Sequence, residues 1–221
     1  MVKNIDSSGK TACICCNGEI RDMDRAWQIA LRADLLIAAD GGAAHLVRMK
    51  LKPQVIIGDM DSLQEDPWND DENVLRIIFP ADKDRSDAEL AVQWALEQGA
   101  AKVLLLGAWG GRIDHTLGNA VVLLRHPGRV ALWDEGVLVQ ALTAGQDTEI
   151  YTKQGAVVSM FPFEVSTRVK TTGLKYRLDD KLLEHATHGL SNTATGETCS
   201  VSVSQGMIIL CIEGVDKWLT N

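Results

Sequence analysis

The first two-thirds of the chain alternates short apolar runs with segments of helical spacing. Apolar side chains three or four positions apart predict helices over 23–31, 43–50, 87–98 and 117–125. The helix over 87–98 has the spacing of a capping box, with Ser86 followed three residues later by Glu89. The apolar runs predict six strands over 12–16, 35–39, 55–57, 75–79, 103–106 and 129–133. This alternation is typical of α/β proteins with a mostly parallel, Rossmann-like sheet covered on both faces.

The pattern changes after Thr143. Short segments rich in Val, Ile and Thr predict strands over 148–151, 156–161, 167–171, 198–203 and 207–212. Turn residues such as Gly155, Gly173 and Gly206 separate them. This pattern predicts a smaller C-terminal domain of antiparallel strands, which form either a β-sandwich or a barrel-like sheet. The sequence therefore predicts two domains, 1–143 and 144–221.

Composition limits the classes of partner. The 221 residues are 46% hydrophobic and carry a net charge of −8, so the chain has enough apolar residues for a core. Duplex DNA or long RNA needs a basic face, so we expect no nucleic-acid partner. A nucleotide substrate stays open, because a metal ion neutralises its phosphates.

Other sequence features indicate the compartment. No apolar run reaches the roughly 18 residues of a membrane span, so we expect no membrane partner. Residues 1–10 are polar and lack the apolar middle of a signal peptide. The five cysteines are odd in number and lack disulfide spacing, which favours a reducing compartment. We expect a cytoplasmic protein.

Polar clusters follow five of the predicted strands at their carboxyl ends. They cover 17–19, 40–42, 58–62, 82–87 and 107–115. Ligands of open α/β sheets bind beyond the carboxyl ends of the strands. Each cluster alone has a structural alternative: Asp40 with its two glycines as a turn, Asp59 and Asp61 as solvated loop acids, and Asp87 as a helix-dipole partner. Their shared position at one edge favours a binding site.

Two of these clusters are rich in carboxylates. They contain five aspartates: Asp59, Asp61, Asp82, Asp84 and Asp87. Like charges in one site repel each other, so a divalent or ligand cation is the natural occupant. Magnesium favours oxygen ligands and keeps substrate phosphates in its shell. The sequence therefore predicts a metal-assisted enzyme that acts on phosphates.

Phosphate-binding groups accompany the acids. Lys83 lies between two of the aspartates, and Arg112 provides a forked donor. Gly110 and Gly111 allow backbone to approach a phosphate closely. The sequence leaves open whether Asp114 and His115 orient Arg112, bind metal or are structural. His45 shows no metal-ligand spacing and is predicted to be a surface or core residue.

The ordered set of motifs resembles the thiamine pyrophosphokinase family. It consists of the clusters at 17–19, 40–42, 58–62, 82–87 and 110–115, with Asn119, and of later motifs at 173–176 and 189–192. The fourth cluster has Ser86 where threonine is common in the family, which keeps the hydroxyl. The resemblance implies an α/β catalytic domain, a thiamine-binding β domain and a homodimer with active sites between subunits. It also implies magnesium, ATP as pyrophosphoryl donor, thiamine as acceptor and AMP as by-product.

The resemblance also implies roles for individual residues. The implied metal ligands are Asp59, Asp61, Asp82 and Asp84. The implied catalytic residues are Asp61, Asp84, Asp87 and Arg112, with Asp87 or Asp61 as the acceptor of the alcohol proton. The implied ATP-binding residues are Asn17, Gly18, Asp40, Gly41, Gly42, Lys83, Gly110, Gly111, Arg112, Asp114, His115 and Asn119. The implied thiamine-binding residues are Asp87, Ser191 and Asn192. The aromatic that stacks on thiamine is not identified, and its candidates are Trp109, Tyr176 and Trp218.

Two rival functions stay open at this point. One is a pyrophosphokinase of the same fold that acts on another hydroxymethyl heterocycle, such as a pterin. The other is a nucleotide- or thiamine-binding module without turnover. The match at Ser191 and Asn192 favours thiamine over a pterin, and the full set of acids argues against a non-catalytic module.

Overall fold

The computed structural model describes residues 9–60, 66–80, 82–184 and 187–215. The fold is mixed α/β, with a large sheet and a separate four-stranded antiparallel sheet. It divides into two compact units. The first is Met1–Val122 with Leu132–Glu135, and the second is Leu123–Ala131 with Gly136–Asn221. The second unit therefore begins earlier in the chain than residue 144, the predicted start of the second domain.

The first unit is built on five parallel strands. They are β1 (Thr11–Cys15), β2 (Leu35–Ala39), β3 (Val55–Gly58), β4 (Leu75–Ile78) and β5 (Lys102–Leu106), in the spatial order β4-β3-β2-β1-β5. Its helices are α1 (Met23–Ala30), α2 (Ala43–Met49) and α3 (Asp87–Glu97), and α4 (Ile113–Arg125) begins in it. Every residue of β1, β2 and β3 is buried, as their unbroken apolar runs predict.

The helix boundaries show where local signals succeed and where they fail. Ser86 caps α3 as predicted, because its Oγ accepts a hydrogen bond from Glu89 N at 3.2 Å. Helix α4 begins at Ile113, four residues before the predicted start at 117. Asp114 and His115 therefore lie in the first turn of a helix rather than in a loop. Helical spacing missed this turn because its side chains are exposed, Ile113 included.

The second unit is antiparallel. Its strands are β7 (Val137–Thr143), β8 (Asp147–Tyr151), β9 (Val157–Pro162), β10 (Arg168–Thr172), β11 (Lys181–Leu182), β12 (Asn192–Thr193), β13 (Thr198–Gln205) and β14 (Met207–Glu213). They pair in the orders β12-β9-β14-β7 and β11-β10-β13-β8. The boundary between the two units falls inside strand β6 (Val130–Asp134), between Ala131 and Leu132.

Three strands of the second unit are absent from the sequence prediction. Strands β11 and β12 have two residues each, too few for any periodicity. Their conformation comes from their partners, as in the pairing of Asn192 with Val158. Strand β7 is an apolar run that lies just before the predicted domain boundary. None of the described helices has the length and apolarity to cross a bilayer.

Candidate active site

The strand-end clusters of the first unit form a cleft. The cleft has a volume of about 410 Å³. It is lined by Cys16, Asn17, Gly18, Glu19, Ala39, Asp40, Ser86, Asp87, Ala88, Gly107, Ala108, Gly110, Gly111, Arg112, His115 and Asn119. Most of these residues follow β1, β2 or β5 or lie at the starts of α3 and α4, while Ala39 ends β2 and Asn119 lies within α4. Residues of four predicted clusters therefore lie together. This is the edge at which open α/β sheets bind ligands.

Glycines allow the loops of the cleft to pack against each other. Gly18 N donates to Gly107 O at 2.8 Å, and a Cβ on Gly18 would lie 2.4 Å from that oxygen. A Cβ on Gly42 would lie 1.9 Å from Cys15 O. Real Cβ atoms do not approach a carbonyl oxygen this closely, so both positions require glycine. The predicted glycine motifs therefore serve first to bring backbones together around the cleft.

Asp40 carries an unpaired oxygen at this edge. Its backbone has φ 45°, and the residue is buried. Its Oδ1 is buried and has no hydrogen-bond partner among the protein atoms that the structure describes. Buried polar atoms are normally paired, and unpaired ones concentrate at functional sites. Asp40 therefore offers a free acceptor in the lining of the cleft.

Lys83 links two of the predicted acids. Its Nζ lies 2.8 Å from Asp87 Oδ1 and 3.9 Å from Asp59 Oδ2, and only 14% of its side chain is exposed. Asp59 follows β3, whereas Asp87 is the first residue of α3. Asp82 and Asp84 are exposed and belong neither to this ion-paired group nor to the cleft lining. Asp61 lies outside the described residues.

The chemistry of these donors fits magnesium. Asp59 and Asp87 are oxygen donors that already share one positive charge, and Asp40 adds a free oxygen nearby in the cleft lining. Among the residues that the structure describes, no three His, Cys, Asp or Glu side chains form a ready metal site. Mg²⁺ usually keeps water and phosphate oxygens in part of its octahedral shell, so an incomplete set of carboxylates is compatible with this metal.

Arg112 and Asp114 form an exposed, two-pronged ion pair at the start of α4. Arg112 Nε and Nη2 lie 3.2 and 2.6 Å from the two carboxylate oxygens. These hydrogen bonds lower the pKa of Asp114 to about 2 and raise the pKa of Arg112. Of the alternatives that the sequence left open, Asp114 orients Arg112 in this structure. Arg112 and His115 both line the cleft.

Two buried polar side chains make hydrogen bonds to backbone carbonyls of the cleft loops. Asn119 is buried, and its Nδ2 donates to Ala108 O at 2.6 Å. His45 is also buried, and its Nε2 lies 2.7 Å from Gly18 O, so the neutral ring donates to that carbonyl. Burial lowers the pKa of His45. Of the two alternatives predicted for His45, a surface or a core residue, the structure has the buried one, and its contact with Gly18 had no signal in the sequence.

The two predicted acceptor residues of the second unit differ from each other. Asn192 is buried, and its Oδ1 accepts from Tyr176 N and Thr193 N, both at 2.9 Å. Its Nδ2 donates to Tyr176 O at 2.8 Å. Ser191 is exposed with φ 54°, and its backbone N donates to Ser159 Oγ at 3.0 Å. The amide of Asn192 is therefore engaged by backbone, whereas Ser191 presents its side chain to solvent.

Tyr176 is the aromatic that this buried amide fixes. The residue is 62% exposed, and Lys175 Nζ lies 5.4 Å from the centroid of its ring. Trp109, the second aromatic candidate, is 37% exposed and does not belong to the cleft lining. Trp218, the third, lies outside the described residues. Tyr176 is thus the candidate whose backbone is fixed on both sides by a predicted site residue.

Sequence analysis missed several parts of the cleft. Cys16, Ala39, Gly107 and Ala108 line it without having been assigned a role. Most of them contribute backbone or small side chains, which carry no chemical signature. Their position directly after a buried strand was the available signal. The pKa of the Cys16 thiol is raised by burial, so this residue is a neutral part of the lining.

Comparison with known proteins agrees with this geometry. The family model described as "Thiamin pyrophosphokinase, catalytic domain" matches residues 26–131, and "Thiamin pyrophosphokinase, vitamin B1 binding domain" matches residues 147–208. Thiamine pyrophosphokinase 1 of Oryza sativa subsp. japonica is 30% identical, over 80% of this chain and 78% of its own. Thiamin pyrophosphokinase 1 of Caenorhabditis elegans is 29% identical, over 81% of this chain and 79% of its own.

A solved structure supports the same assignment. Thiamine pyrophosphokinase from Bacillus subtilis superposes with a TM-score of 0.76 at 26% identity, covering 92% of this chain and 99% of its own. The two family models match residues in both parts of the chain, and the relative from rice aligns with 80% of it at 30% identity. The chain belongs to the thiamine pyrophosphokinase family.

Proposed function

We propose that this protein transfers the pyrophosphoryl group of ATP to the hydroxyl of thiamine, giving thiamine diphosphate and AMP, with Mg²⁺ as cofactor. The observation that carries the proposal is one cleft lined by Gly-rich strand ends, by Arg112 and by Asp87, whose Oδ1 lies 2.8 Å from Lys83 Nζ. Family membership and the match to a vitamin B1 binding domain support the acceptor.

The residues of the cleft have distinct parts in this reaction. Attack of the thiamine hydroxyl on the β-phosphorus of ATP depends mainly on positioning and on neutralising charge on the phosphate oxygens. Backbone N–H groups of the loops at Gly110 and Gly111 cradle the phosphates, and Arg112 adds a two-pronged donor. Asp59 and the predicted ligands Asp61, Asp82 and Asp84 would hold Mg²⁺, which would supply positive charge at the phosphate oxygens.

The alcohol proton needs an acceptor at the same place. Asp87 lines the cleft, and its Oδ1 pairs with Lys83, which leaves Oδ2 to take the proton from the hydroxyl of thiamine. Asp61, which the sequence predicts as the alternative base, lies outside the described residues.

Thiamine itself is assigned to the second unit. We propose that the exposed ring of Tyr176 and the side chain of Ser191 contact the heterocycle, while Asn192 holds the Tyr176 backbone. Aromatic faces attract cations, and thiamine carries a positive charge. The negative charge of the acid cleft adds attraction for the same substrate.

An assay with different acceptors tests this function. The protein is incubated with ATP and Mg²⁺, and with thiamine, a hydroxymethyl pterin or no acceptor, and the nucleotides are separated by chromatography. We expect AMP with thiamine only. AMP with the pterin only would identify the rival pyrophosphokinase, and no nucleotide product with any acceptor would identify a binding module.

We also propose a homodimer with active sites at the subunit interface. Ile113, Leu117 and Val121 lie at i, i+4 and i+8 of α4 and are exposed, forming an apolar stripe beside the cleft residues of the same helix. A second copy of the chain is a natural cover for such a stripe. Light scattering should give the mass of a dimer, and Leu117→Glu should give a monomer.

Subunit exchange tests whether the sites are shared. Asp59→Asn protein mixed with Ser191→Ala, Asn192→Ala protein should regain activity, because each mixed dimer then contains one intact site. Exchange confirmed by mass spectrometry without any regained activity would contradict shared sites while leaving the dimer in place.

The remaining proposals concern architecture and compartment. We infer a Rossmann-like arrangement for the five parallel strands and a β-sandwich for the two antiparallel sheets of the second unit. We also infer a cytoplasmic location, because all five cysteines are free thiols, as a reducing compartment keeps them.

A further inference from the structure

Lys83 is placed unusually for a lysine that binds phosphate. Its side chain is largely buried, and its Nζ lies between carboxylates from two separate elements, Asp59 after β3 and Asp87 at the start of α3. A phosphate-binding lysine needs its ammonium free to meet the ligand. Here the ammonium is already engaged by the acids that are proposed to meet the metal and the substrate.

The charges explain why Lys83 takes this position. Two partly buried carboxylates that face one point repel each other unless a cation lies between them. The ammonium of Lys83 supplies that cation from within the chain. A divalent cation binding at the same carboxylates meets a positive charge a few ångströms away, so the two cations compete.

The side chain of lysine suits an exchange of partners. It is a compact charge on a flexible four-carbon stem with three rotatable donors, whereas arginine is held by its planar fork. The phosphates of a nucleotide bound in the cleft offer new anionic partners to the released ammonium. The lysine therefore has one set of partners before the metal binds and another set afterwards.

We propose that Lys83 is an exchangeable counter-ion of the acid site. In the metal-free protein it neutralises Asp59 and Asp87, and when Mg²⁺ binds it leaves these carboxylates for the phosphate oxygens of the nucleotide. This inference rests on the proposed function, in which the acid cluster holds Mg²⁺. It adds that the metal and Lys83 oppose each other at that cluster.

The direction in which removal of Lys83 changes the affinity for Mg²⁺ distinguishes three possible roles of this lysine. Removing a lysine that only binds phosphate leaves the affinity for Mg²⁺ alone unchanged, and removing one that helps to position the ligands weakens it. Removing an exchangeable counter-ion strengthens it. The same change weakens the binding of the Mg²⁺–nucleotide complex, because the second partner of the ammonium is lost.

Calorimetry on the full-length protein separates these cases. MgCl₂ is titrated into metal-free protein without nucleotide, for wild type, Lys83→Met and Arg85→Met. Arg85 is a matched control, because it carries the same charge two residues away and contacts Gln93. We expect Lys83→Met to bind Mg²⁺ about tenfold more tightly than wild type, as removal of one adjacent unit charge allows. Arg85→Met should change the affinity less than threefold.

Thermal unfolding gives a second readout that does not depend on turnover. Without Mg²⁺, Lys83→Met should unfold at a lower temperature than wild type, because Asp59 and Asp87 are left to repel each other. Saturating Mg²⁺ should close this difference. If Lys83→Met does not fold, Lys83→Gln removes the same charge with a polar tip and should show the same two signs.

The Mg²⁺ affinities of the variants decide whether Lys83 exchanges its partners. Unchanged or weaker Mg²⁺ binding by Lys83→Met, relative to wild type, would overturn the exchange, as would a failure of all variants to bind Mg²⁺ without nucleotide. Formation of AMP from ATP and thiamine by the wild-type protein is measured separately, so the proposed function stands or fails independently of Lys83. Tighter Mg²⁺ binding in Lys83→Met but not in Arg85→Met supports the exchange.

Discussion

The acid cleft of the first unit and the loop at residues 191–192 of the second unit use polar side chains in opposite ways. In the first unit, Asp59 and Asp87 both lie near the Lys83 ammonium, and Asp40 in the cleft lining keeps an unpaired oxygen. In the loop, the amide of Asn192 makes three hydrogen bonds to backbone. A side-chain oxygen without a partner is available to a ligand, whereas a buried amide that makes three backbone hydrogen bonds is committed to the fold.

This difference separates residues that the motifs alone treat alike. Ser191 and Asn192 are adjacent and are implied by the same resemblance, yet only Ser191 has a side chain that is exposed. Asp84 and Asp87 belong to one cluster, yet only Asp87 lines the cleft. The four residues therefore provide two matched pairs on which the comparison can be tested.

The largest effect is expected at the two acids that Lys83 links. Asp59→Asn and Asp87→Asn keep the side-chain volume and remove the charge, so each should lower kcat by about 10²-fold or more. The melting temperature should change little, because the neutral amide still fits. Steady-state assays of AMP formation at saturating Mg²⁺ measure this effect.

Asp84 is the matched control for Asp87, because both belong to the cluster at 82–87. The family resemblance predicts an equal loss for Asp84→Asn, although Asp84 is exposed and outside the ion-paired group. A loss in Asp84→Asn equal to that in Asp87→Asn would mean that Asp84 joins the site when substrates bind. Near-normal activity in Asp87→Asn would remove Asp87 from the catalytic site.

A glycine of the cleft should matter far more than one of the second unit. Gly42→Ala places a Cβ 1.9 Å from Cys15 O, so the backbone must shift at a cost of about 3 kcal/mol or more. Gly196 has no atom within 4 Å of an added Cβ and an ordinary φ, so Gly196→Ala should be nearly neutral. Chemical denaturation of both variants gives this difference, and equal losses would contradict the close packing of the cleft loops.

A smaller effect is expected in the loop of the second unit. Asn192→Ala leaves the N–H and C=O groups of Tyr176 without partners and should destabilise the fold by about 2–3 kcal/mol. For a chain of this size that lowers the melting temperature by roughly 5–10 °C. The KM for thiamine should rise more than that for ATP, because Tyr176 loses its support.

Ser191→Ala is the control for that variant. It should raise the KM for thiamine about three- to tenfold, the value of one lost hydrogen bond, with almost no change in melting temperature. If Ser191→Ala destabilised the protein as much as Asn192→Ala, the proposed division between a contact residue and a positioning residue would be wrong. If both variants altered the KM for ATP and thiamine equally, neither residue would belong to the acceptor site.

The smallest effect concerns pH and His45. Burial keeps its folded pKa below 6.5, the value of an exposed histidine, so the unfolded chain takes up a proton first as the pH falls. The contribution of His45 to stability is therefore complete above pH 6.5 and is lost as the pH falls through the lowered pKa. Denaturation of wild type and His45→Gln between pH 5 and 8 should show a steeper acid loss in wild type.

The sequence predicted much of the first unit because its signals are local. The buried run at Leu35–Ala39 and the Ser86 cap each depend on neighbouring residues, and both are confirmed. The pairing of Lys83 with Asp59 joins residues 24 positions apart, and no local pattern encodes it. The hydrogen bond between Asn192 and the Tyr176 backbone is likewise a tertiary contact. The residue type of Asn192 indicates a polar side chain but not the group to which it bonds.

The most direct test of the account is the fate of labelled phosphate. ATP radiolabelled at the β-phosphorus is incubated with Mg²⁺, thiamine and either wild-type or Asp87→Asn protein. Pyrophosphoryl transfer in the acid cleft predicts that the label moves into thiamine diphosphate, that AMP is unlabelled, and that Asp87→Asn transfers about a hundredth as much or less. Label retained in ADP, or equal transfer by both proteins, would contradict the account.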